Sequence, residues 1–320
     1  MRGHRKRANS NMHDLVTKNQ SHPQLDHLLS ELNGFIERGG PAEHEYDFLS
    51  MLFDKLHGFI GPQNDAKLLE FTQRAVVFNT TETNQGFVCL RPHGYCGDFE
   101  IIERVYEKRI TSDPKLRRWD EYFHDCSGAR AVRARKDYCI NLLEKATGSK
   151  NRSRILNVAS GPCRDIYEFL SGATGDTIKK VSIHCIDQDA NAIKYAERLL
   201  ASFSKQVSFE NRNIFRSRMD GTYDLIWSAG LFDYLEDRLF VRLLKKLSAV
   251  VAPGGELVIG NFSNQNTHRS YMEFARWHLI HRDEDELLRL AKEAKLEGFS
   301  ARIDQEPNGI NLFMHLTRSK

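Results

Sequence analysis

The chain has 320 residues, a formal net charge of +3, and 40% hydrophobic and 28% charged residues. This composition excludes global disorder, and a chain of this length favours one larger and one smaller domain over a single compact unit. Residues 1–20 carry a net charge of +4, so the remaining 300 residues sum to −1. We therefore predict a flexible basic tail over 1–20 and a nearly neutral body that does not bind nucleic acid.

Several targeting and metal-binding signals are missing from the sequence. No apolar run approaches the roughly 20 residues that a membrane-spanning helix needs, and no apolar segment follows the N-terminal charges as in a secretory signal. The six cysteines include no C-x-x-C pair. We expect reduced structural thiols, no metal site, no membrane span and a cytoplasmic location.

Residues 21–148 are predicted to form a helical domain. Apolar residues recur at spacings of three and four, which is typical of helices with one buried face. The predicted elements, in chain order, are helices over 25–35 and 46–59, a polar loop over 78–97, a helix from 98 to about 109 capped by Asp98, a short helix opening at 113, and a long helix over 128–145.

Residues 149–320 have a different pattern, in which short apolar runs alternate with helical segments. Such alternation predicts an α/β domain with a parallel sheet covered on both faces. The predicted strands are 155–158, 181–186, 207–209, 223–227 and 256–260, with a terminal strand pair over 301–303 and 310–316; the predicted helices are 165–171, 189–203, 235–250 and 283–296.

The first of these strands runs directly into Ala159-Ser160-Gly161-Pro162. Ligands of doubly wound sheets bind beyond the carboxyl ends of the strands, where small residues let the backbone approach a nucleotide. The second strand ends at Asp187, whose carboxylate is placed to accept both ribose hydroxyls. A full dinucleotide fingerprint and a P-loop are both absent from the sequence, and Asp189 is predicted to cap the next helix.

Taken in order, these motifs resemble those of class I S-adenosylmethionine-dependent methyltransferases. The resemblance covers about 155–316 and includes Asn213-Ile214-Phe215 and Ala252-Pro253-Gly254-Gly255. Asn157 departs from it, because the family often has Asp or Glu there. The resemblance implies a Rossmann-like seven-stranded methyltransferase sheet with an α-helical N-terminal region, and S-adenosyl-L-methionine as the cofactor.

A narrower resemblance begins upstream of the sheet. Residues 91–100, 131–135, 228–235 and 309–313 resemble a bacterial subgroup described as makers of 3-hydroxypalmitic acid methyl ester, a quorum signal. This implies methylation of a small-molecule carboxylate or hydroxyl. The cofactor-binding residues that the strand ends and the two resemblances imply are Tyr95, Arg133, Ala159, Ser160, Gly161, Pro162, Asp187, Gln188, Asn213, Ile214, Ser228 and Ala229.

Asp233, Tyr271 and His268 are the candidate catalytic residues. A carboxylate acceptor needs no general base, whereas a hydroxyl acceptor usually does. Asp233 follows the fourth strand, where an acceptor would approach, or else caps a helix. Tyr271 shares a predicted helix face with Phe274 and His278, which fits either an acceptor pocket or a core stripe.

Two alternative functions remain open beside a small-molecule methyltransferase. Residues 104–136 carry a net charge of +5, which keeps an RNA or protein substrate possible. Asn157 supports a non-catalytic regulatory or scaffold protein that binds S-adenosylmethionine. In each case the N-terminal helices could pair in a homodimer.

Overall fold

The computed structural model describes residues 22–148 and 152–320. The predicted tail over 1–20 and the predicted domain boundary at 148/149 lie at or beyond the edges of these ranges. The described helices are α1 (Pro23–Glu37), α2 (Tyr46–His57), α3 (Asp65–Arg74), α4 (Asn84–Leu90), α5 (Phe99–Tyr106), α6 (Arg117–Asp125), α7 (Ser127–Gly148), α8 (Arg164–Gly172), α9 (Gly175–Lys180), α10 (Ala190–Leu199), α11 (Asp237–Ser248), α12 (Arg269–Phe274) and α13 (Glu284–Ala294). The described strands are β1 (Ser153–Val158), β2 (Val181–Asp187), β3 (Val207–Asn211), β4 (Tyr223–Ser228), β5 (Val251–Phe262), β6 (Phe299–Gln305) and β7 (Asn311–Arg318).

The seven described strands form one sheet in the order β3-β2-β1-β4-β5-β7-β6. Strands β1 to β5 are parallel, and β7 pairs antiparallel with both β5 and β6. The chain leaves β1 toward one edge of the sheet and returns through β4 to the other, so β1 and β4 flank a topological switch point. The predicted α/β fold, with a Rossmann-like seven-stranded sheet and a helical N-terminal region, is confirmed.

The helical region is built around amphipathic helices whose apolar faces meet. In α1, Pro23 lies in the first turn, where its fixed φ suits a helix, and Leu25 and Leu32 are fully buried. Phe53 of α2 lies 4.8 Å from the ring centroid of Tyr271 and 5.2 Å from that of Phe274. The segment after β5, which contains α12, therefore completes the core of the helical region and fastens it to the sheet.

Two predictions about local structure are confirmed. The Asp98 carboxylate accepts hydrogen bonds from the backbone of Glu100 and Ile101 and so caps α5. The Asp189 carboxylate accepts one from Asn191 and caps α10.

The predicted loop over 78–97 was wrong for residues 84–90, which form α4. Thr83 caps this helix by accepting a hydrogen bond from the backbone of Gly86. Its polar first turn is buried, and there Asn84 donates to the Arg109 carbonyl oxygen at 2.9 Å. The polar, glycine-containing sequence around it is typical of a loop, although residues 87–90 of the helix are apolar.

The predicted helix face that joins Tyr271, Phe274 and His278 was also wrong. Helix α12 ends at Phe274, and Arg276 has a φ of 63°, in the left-handed region that ends helices. His278 consequently lies beyond the helix and is exposed, whereas Tyr271 and Phe274 are buried.

Candidate active site

A cleft of about 630 Å³ opens at the carboxyl ends of the central strands. Its floor is formed by the loop after β1 and the ends of β2 and β4, and its roof by residues 91–106. The volume is within the range of small-molecule sites. The position is the switch point at which doubly wound sheets bind their ligands.

The loop after β1 has an unusual backbone. Ala159, Gly161 and Cys163 have φ values of 52°, 54° and 57°, so left-handed residues alternate along it. Ala159 and Cys163 carry side chains and adopt this conformation at a cost of about 1–2 kcal/mol each. A Cβ at Gly161 would meet nothing within 4 Å, which leaves room for a ligand against its backbone.

Asp187 holds this loop and the start of α10 together. One of its carboxylate oxygens accepts from the Gly161 N–H and the other from the Asp189 N–H, each at 2.9 Å. Burial raises the pKa of Asp187, while these backbone donors oppose that shift. Each carboxylate oxygen keeps lone-pair capacity for a further donor, such as a ligand hydroxyl.

Beside Asp187 lies a site suited to a flat ring. Gln188, Asn213 and Ile214 line the cleft there. The Asn213 amide donates to the Gln188 side-chain oxygen at 2.8 Å, and Ile214 is largely buried. The Gln188 and Asn213 amides thus provide polar groups for the edge of a ring, and Ile214 provides an apolar surface.

Residues 91–97 form a lid over the cleft. The Tyr95 hydroxyl donates to the Asp189 carboxylate at 2.9 Å, which bridges the lid to the sheet side. The Tyr234 hydroxyl donates to the Cys96 carbonyl oxygen at 3.3 Å and accepts from the Trp277 indole N–H at 2.9 Å. Gly97 sits against both rings, and a Cβ there would lie 3.0 Å from Trp277. Only glycine allows the lid to close this tightly.

Arg135 of α7 is a buried guanidinium that faces the cleft. It is 6% exposed and packs beside Gly230, where a Cβ would lie 3.0 Å from the Arg135 Nη1. Burial opposes its charge, but Tyr106 and Asp233 nearby raise the pKa of Arg135. No carboxylate lies within 4.0 Å of it among the described residues, and its Nε–H is without a partner.

Three other buried polar atoms at the cleft lack hydrogen-bond partners within the described part of the chain. They are the Arg91 Nε on the lid side, the Asn157 amide nitrogen and the Ser160 hydroxyl oxygen. Buried polar groups are nearly always satisfied in folded proteins, so unsatisfied ones at a cleft indicate a ligand. Three such groups, those of Asn157, Ser160 and Arg135, surround the loop after β1.

The structure brings most of the predicted cofactor residues to this cleft. Those that line it are Tyr95, Ala159, Ser160, Gly161, Pro162, Asp187, Gln188, Asn213, Ile214 and Ala229. Ser228 does not line it, because its hydroxyl is buried and donates to the Val158 carbonyl oxygen at 3.1 Å. Arg133 also lies elsewhere, since its guanidinium donates to the His124 carbonyl oxygen at 2.7 Å.

The structure does not bring the three candidate catalytic residues to the cleft. Asp233 is buried beneath it and accepts from the Phe262 N–H at 2.6 Å; burial raises the pKa of Asp233 to about 6. Asp233 does not cap α11, because the residue that precedes this helix is Glu236. Tyr271 is in the helical core, and His268 lies 3.2 Å from Ser50 of α2.

Several residues at the cleft were not among the predicted site residues. They are Arg91, Asn157, Tyr106, Arg135, Tyr234, Arg276 and His278. Arg135 stands two positions after Arg133, on a different face of the same helix, so the choice between them depends on packing. Asn157 was singled out by its position in the motif, although only the structure shows its unpaired amide.

Residues 22–148 and 152–320 contain neither a metal-binding cluster nor a membrane-spanning helix. No group of three or more His, Cys, Asp or Glu side chains is placed to hold a metal ion. Likewise, no helix in these ranges combines the length and apolarity required to cross a membrane.

Comparison with known proteins finds a family that resembles part of the chain. Residues 155–255 match the family model described as "Methyltransferase domain". No curated protein matches the chain by sequence. A possible exported protein from Bordetella parapertussis shares the fold with a TM-score of 0.59 at 14% identity, over 93% of this chain and 96% of that one.

Two solved structures named as methyltransferases are more distant. Magnesium protoporphyrin IX methyltransferase from Synechocystis PCC 6803, with bound SAM, has a TM-score of 0.44 at 10% identity, covering 60% of this chain and 83% of that one. The 1,6-didemethyltoxoflavin-N1-methyltransferase from Burkholderia thailandensis has a TM-score of 0.46 at 16% identity, covering 62% and 86%.

The domain match falls on the strands and loops that form the floor of the cleft. It begins in β1 and ends within β5, and so includes the loop after β1 and Asp187. The strands and loops that form the floor of the cleft are thus similar to those of a methyltransferase domain.

Proposed function

We propose that the chain transfers the methyl group of S-adenosylmethionine to an oxygen of a small-molecule acceptor, a carboxylate or a hydroxyl, and that a carboxylate is the preferred acceptor. The observation that carries the proposal is the composition of the cleft. A nucleoside-type site at Asp187 and a buried guanidinium at Arg135, which has no carboxylate within 4.0 Å among the described residues, share one lidded cavity with further room beside them.

The residues present fit the cofactor. Asp187 would hold the ribose hydroxyls, and Gln188, Asn213 and Ile214 would surround the adenine. Arg135 would hold the methionine carboxylate, because a guanidinium binds a carboxylate through paired hydrogen bonds. This assignment would also satisfy the guanidinium nitrogen that has no partner in the described structure.

Asn157 and Ser160 would serve the methionine end of the cofactor. Asn157 lies in β1 between Cys185 and Trp227 in register, at the centre of the sheet. Its amide can hydrogen-bond a ligand group or a water, but it cannot supply the full negative charge of an aspartate. The buried carboxylates of Asp165 and Asp187 line the same cleft and supply negative charge near a cationic cofactor instead.

When bound, S-adenosylmethionine supplies an activated methyl group that leaves its sulfur by in-line displacement. The chain has to orient the two reactants and exclude water. The lid performs the second task, because the Tyr95 and Tyr234 contacts close it over the loop after β1.

A carboxylate acceptor suits the titratable groups at the cleft. The Tyr106 and Tyr234 hydroxyls have raised pKa values, chiefly because of burial, so they act as donors and not as bases. The Asp233 carboxylate is turned toward the Phe262 N–H. Among the described residues that line the cleft, His278 is the sole imidazole, and it is exposed. A carboxylate needs no base, whereas a hydroxyl would.

The sequence of the lid supports a finer assignment of the substrate. Residues 91–100, which resemble the subgroup that makes methyl esters of hydroxy acids, form the lid and the start of α5. One of the four stretches with the narrower resemblance thus forms the lid of the cleft. This supports an organic acid as the acceptor.

The proposal is tested by incubating the protein with methyl-labelled S-adenosylmethionine and a whole extract of the source cells, then separating the small-molecule, RNA and protein fractions for mass spectrometry. Mild alkali then separates the outcomes, because it releases methanol from a methyl ester and leaves a methyl ether intact. We expect an alkali-labile product that the Asp187→Ala variant does not form. Label found only in an RNA or protein fraction would contradict a small-molecule acceptor, and an alkali-stable product would contradict a carboxylate.

A further inference from the structure

We propose that Arg276 and Arg91 are the specificity-determining residues of the acceptor site, where they select an acceptor that carries an anionic group. The inference rests on the proposed function and adds residues that neither the sequence motifs nor the domain match assigns. It starts from the charges that line the cleft on the lid side.

Arg91 and Arg276 lie on two segments that meet at the cleft. The Arg91 Nη2 donates to the Arg276 carbonyl oxygen at 2.7 Å, and the Cys96 thiol donates to the same oxygen at 3.1 Å. Both arginines line the cleft, and His278 lines it next to them. These contacts fix the Arg91 guanidinium against the Arg276 backbone, so the position of one cation and of the backbone that carries the other is built into the fold.

Neither guanidinium is neutralised by the part of the chain that the structure describes. No carboxylate lies within 4.0 Å of Arg91 or Arg276 there, and the Arg91 Nε–H is buried without a partner. Another arginine at the cleft differs in this respect. Arg212, at the adenine end, pairs with Glu210 at 2.8 Å.

Both residues also adopt an uncommon backbone conformation. Arg91 has a φ of 49° and Arg276 a φ of 63°. Left-handed residues with long side chains cost about 1–2 kcal/mol and are concentrated at functional sites. Left-handed residues also end helices, as Arg91 does for α4 and Arg276 does just after α12. It is therefore the two contacting arginines, without a carboxylate partner among the described residues, that indicate a site for an anion.

The guanidinium groups of the cleft are placed for two anionic groups, one on the cofactor and one on the acceptor. S-adenosylmethionine has a single carboxylate, and Arg135 is the guanidinium placed for it beside the ends of β1 and β4. Arg91 and Arg276 lie across the cleft, on the lid and on the segment after α12. These two arginines are therefore available to a carboxylate or a phosphate of the acceptor. A guanidinium group binds either anion through paired hydrogen bonds.

The experiment compares anion binding in variants of Arg276. Arg276→Asn removes the charge, and Asn tolerates the left-handed conformation better than most residues; Arg276→Lys retains the charge. Arg212→Gln is the matched control, since it removes a cleft guanidinium that already has a partner. Isotope-labelled acetate and inorganic phosphate are titrated separately at constant ionic strength, and their NMR line widths report binding.

Each titration is made with the protein saturated with S-adenosylhomocysteine. We expect one of the two anions, or both, to bind the wild type and the Arg212→Gln variant equally. We expect Arg276→Asn to weaken binding by roughly tenfold or more, and Arg276→Lys to retain most of it. Acetate binding alone would indicate a carboxylate acceptor, and phosphate binding alone a phosphate.

The results that overturn the inference differ from those that overturn the proposed function. Anion binding that is absent from the saturated wild type, or unchanged in Arg276→Asn, removes the acceptor site while cofactor binding stands. Failure of S-adenosylhomocysteine itself to bind, measured by calorimetry, overturns the proposed function. In that case the same anion titrations without it still decide whether Arg276 binds an anion.

Discussion

Replacing Arg135 by methionine should weaken binding of the cofactor through its carboxylate alone. Arg135 is 6% exposed, and no carboxylate lies within 4.0 Å of it in the described structure, so a ligand carboxylate would be its first close anionic partner. Hydrogen bonds to charged groups contribute about 1.5–3 kcal/mol, which corresponds to roughly 10- to 150-fold in affinity. Methionine preserves the apolar stem and removes the guanidinium.

Calorimetric titration with two ligands isolates this contribution. S-adenosylhomocysteine contains the carboxylate, and methylthioadenosine lacks the amino-acid part that bears it. We expect Arg135→Met to lose the stated factor for the first ligand and to change by less than about threefold for the second, because no interaction with its missing carboxylate is removed.

Arg133→Met is the matched control on the same helix. Its guanidinium donates to the His124 carbonyl oxygen, so its loss should cost about 1 kcal/mol of stability and leave both affinities unchanged. Equal losses for both ligands in Arg135→Met, or no loss for S-adenosylhomocysteine, would refute the placement of the carboxylate. If Arg133→Met instead lost affinity for S-adenosylhomocysteine, Arg133 would again be a candidate to bind the cofactor carboxylate.

Two further predictions concern the lid and the buried acid below the cleft. Gly97→Ala should weaken binding of S-adenosylhomocysteine roughly tenfold more than Gly94→Ala, as measured by calorimetry, because both have positive φ but only the Gly97 Cβ would collide with the Tyr234 hydroxyl; equal effects would contradict a tightly seated lid. The Asp233 pKa of about 6 in the folded chain exceeds the ordinary 3.8, so the contribution of this carboxyl to stability is largest below pH 3.8 and is lost as the pH rises through about 6, by about 3 kcal/mol in all. In urea unfolding, the free-energy difference between Asp233→Asn and the wild type should therefore increase by most of that amount from pH 4 to pH 7, and a constant difference would contradict the raised pKa.

The fold was predictable because its signals are local. Apolar runs such as 155–158 and 181–186 alternate with helical segments, and that alternation defines a parallel sheet. The ends of parallel strands meet at one edge, so Gly161 and Asp187 were expected together before any contact was known. In the structure they are joined by a hydrogen bond of 2.9 Å.

The rest of the site depends on contacts between residues far apart in the sequence. Tyr271 and His268 follow the sheet closely in the chain, yet they pack against Phe53 and Ser50, more than 200 positions earlier. Periodicity cannot show this, because it reports which side of a helix is buried and not against what. The proposed role of Arg276 could not be predicted either, because its position depends on the left-handed backbone that ends α12.

The most direct test of the account is the affinity for S-adenosylhomocysteine after Asp187→Asn, measured by calorimetry with circular dichroism as a check on folding. The amide keeps the shape of the side chain but cannot serve as a charged acceptor for ribose hydroxyls and two backbone donors. Asp189→Asn is the control, because Asn caps a helix about as well as Asp. We predict a loss of roughly 100-fold or more for Asp187→Asn and less than about threefold for Asp189→Asn. Wild-type affinity in a folded Asp187→Asn protein would contradict the account.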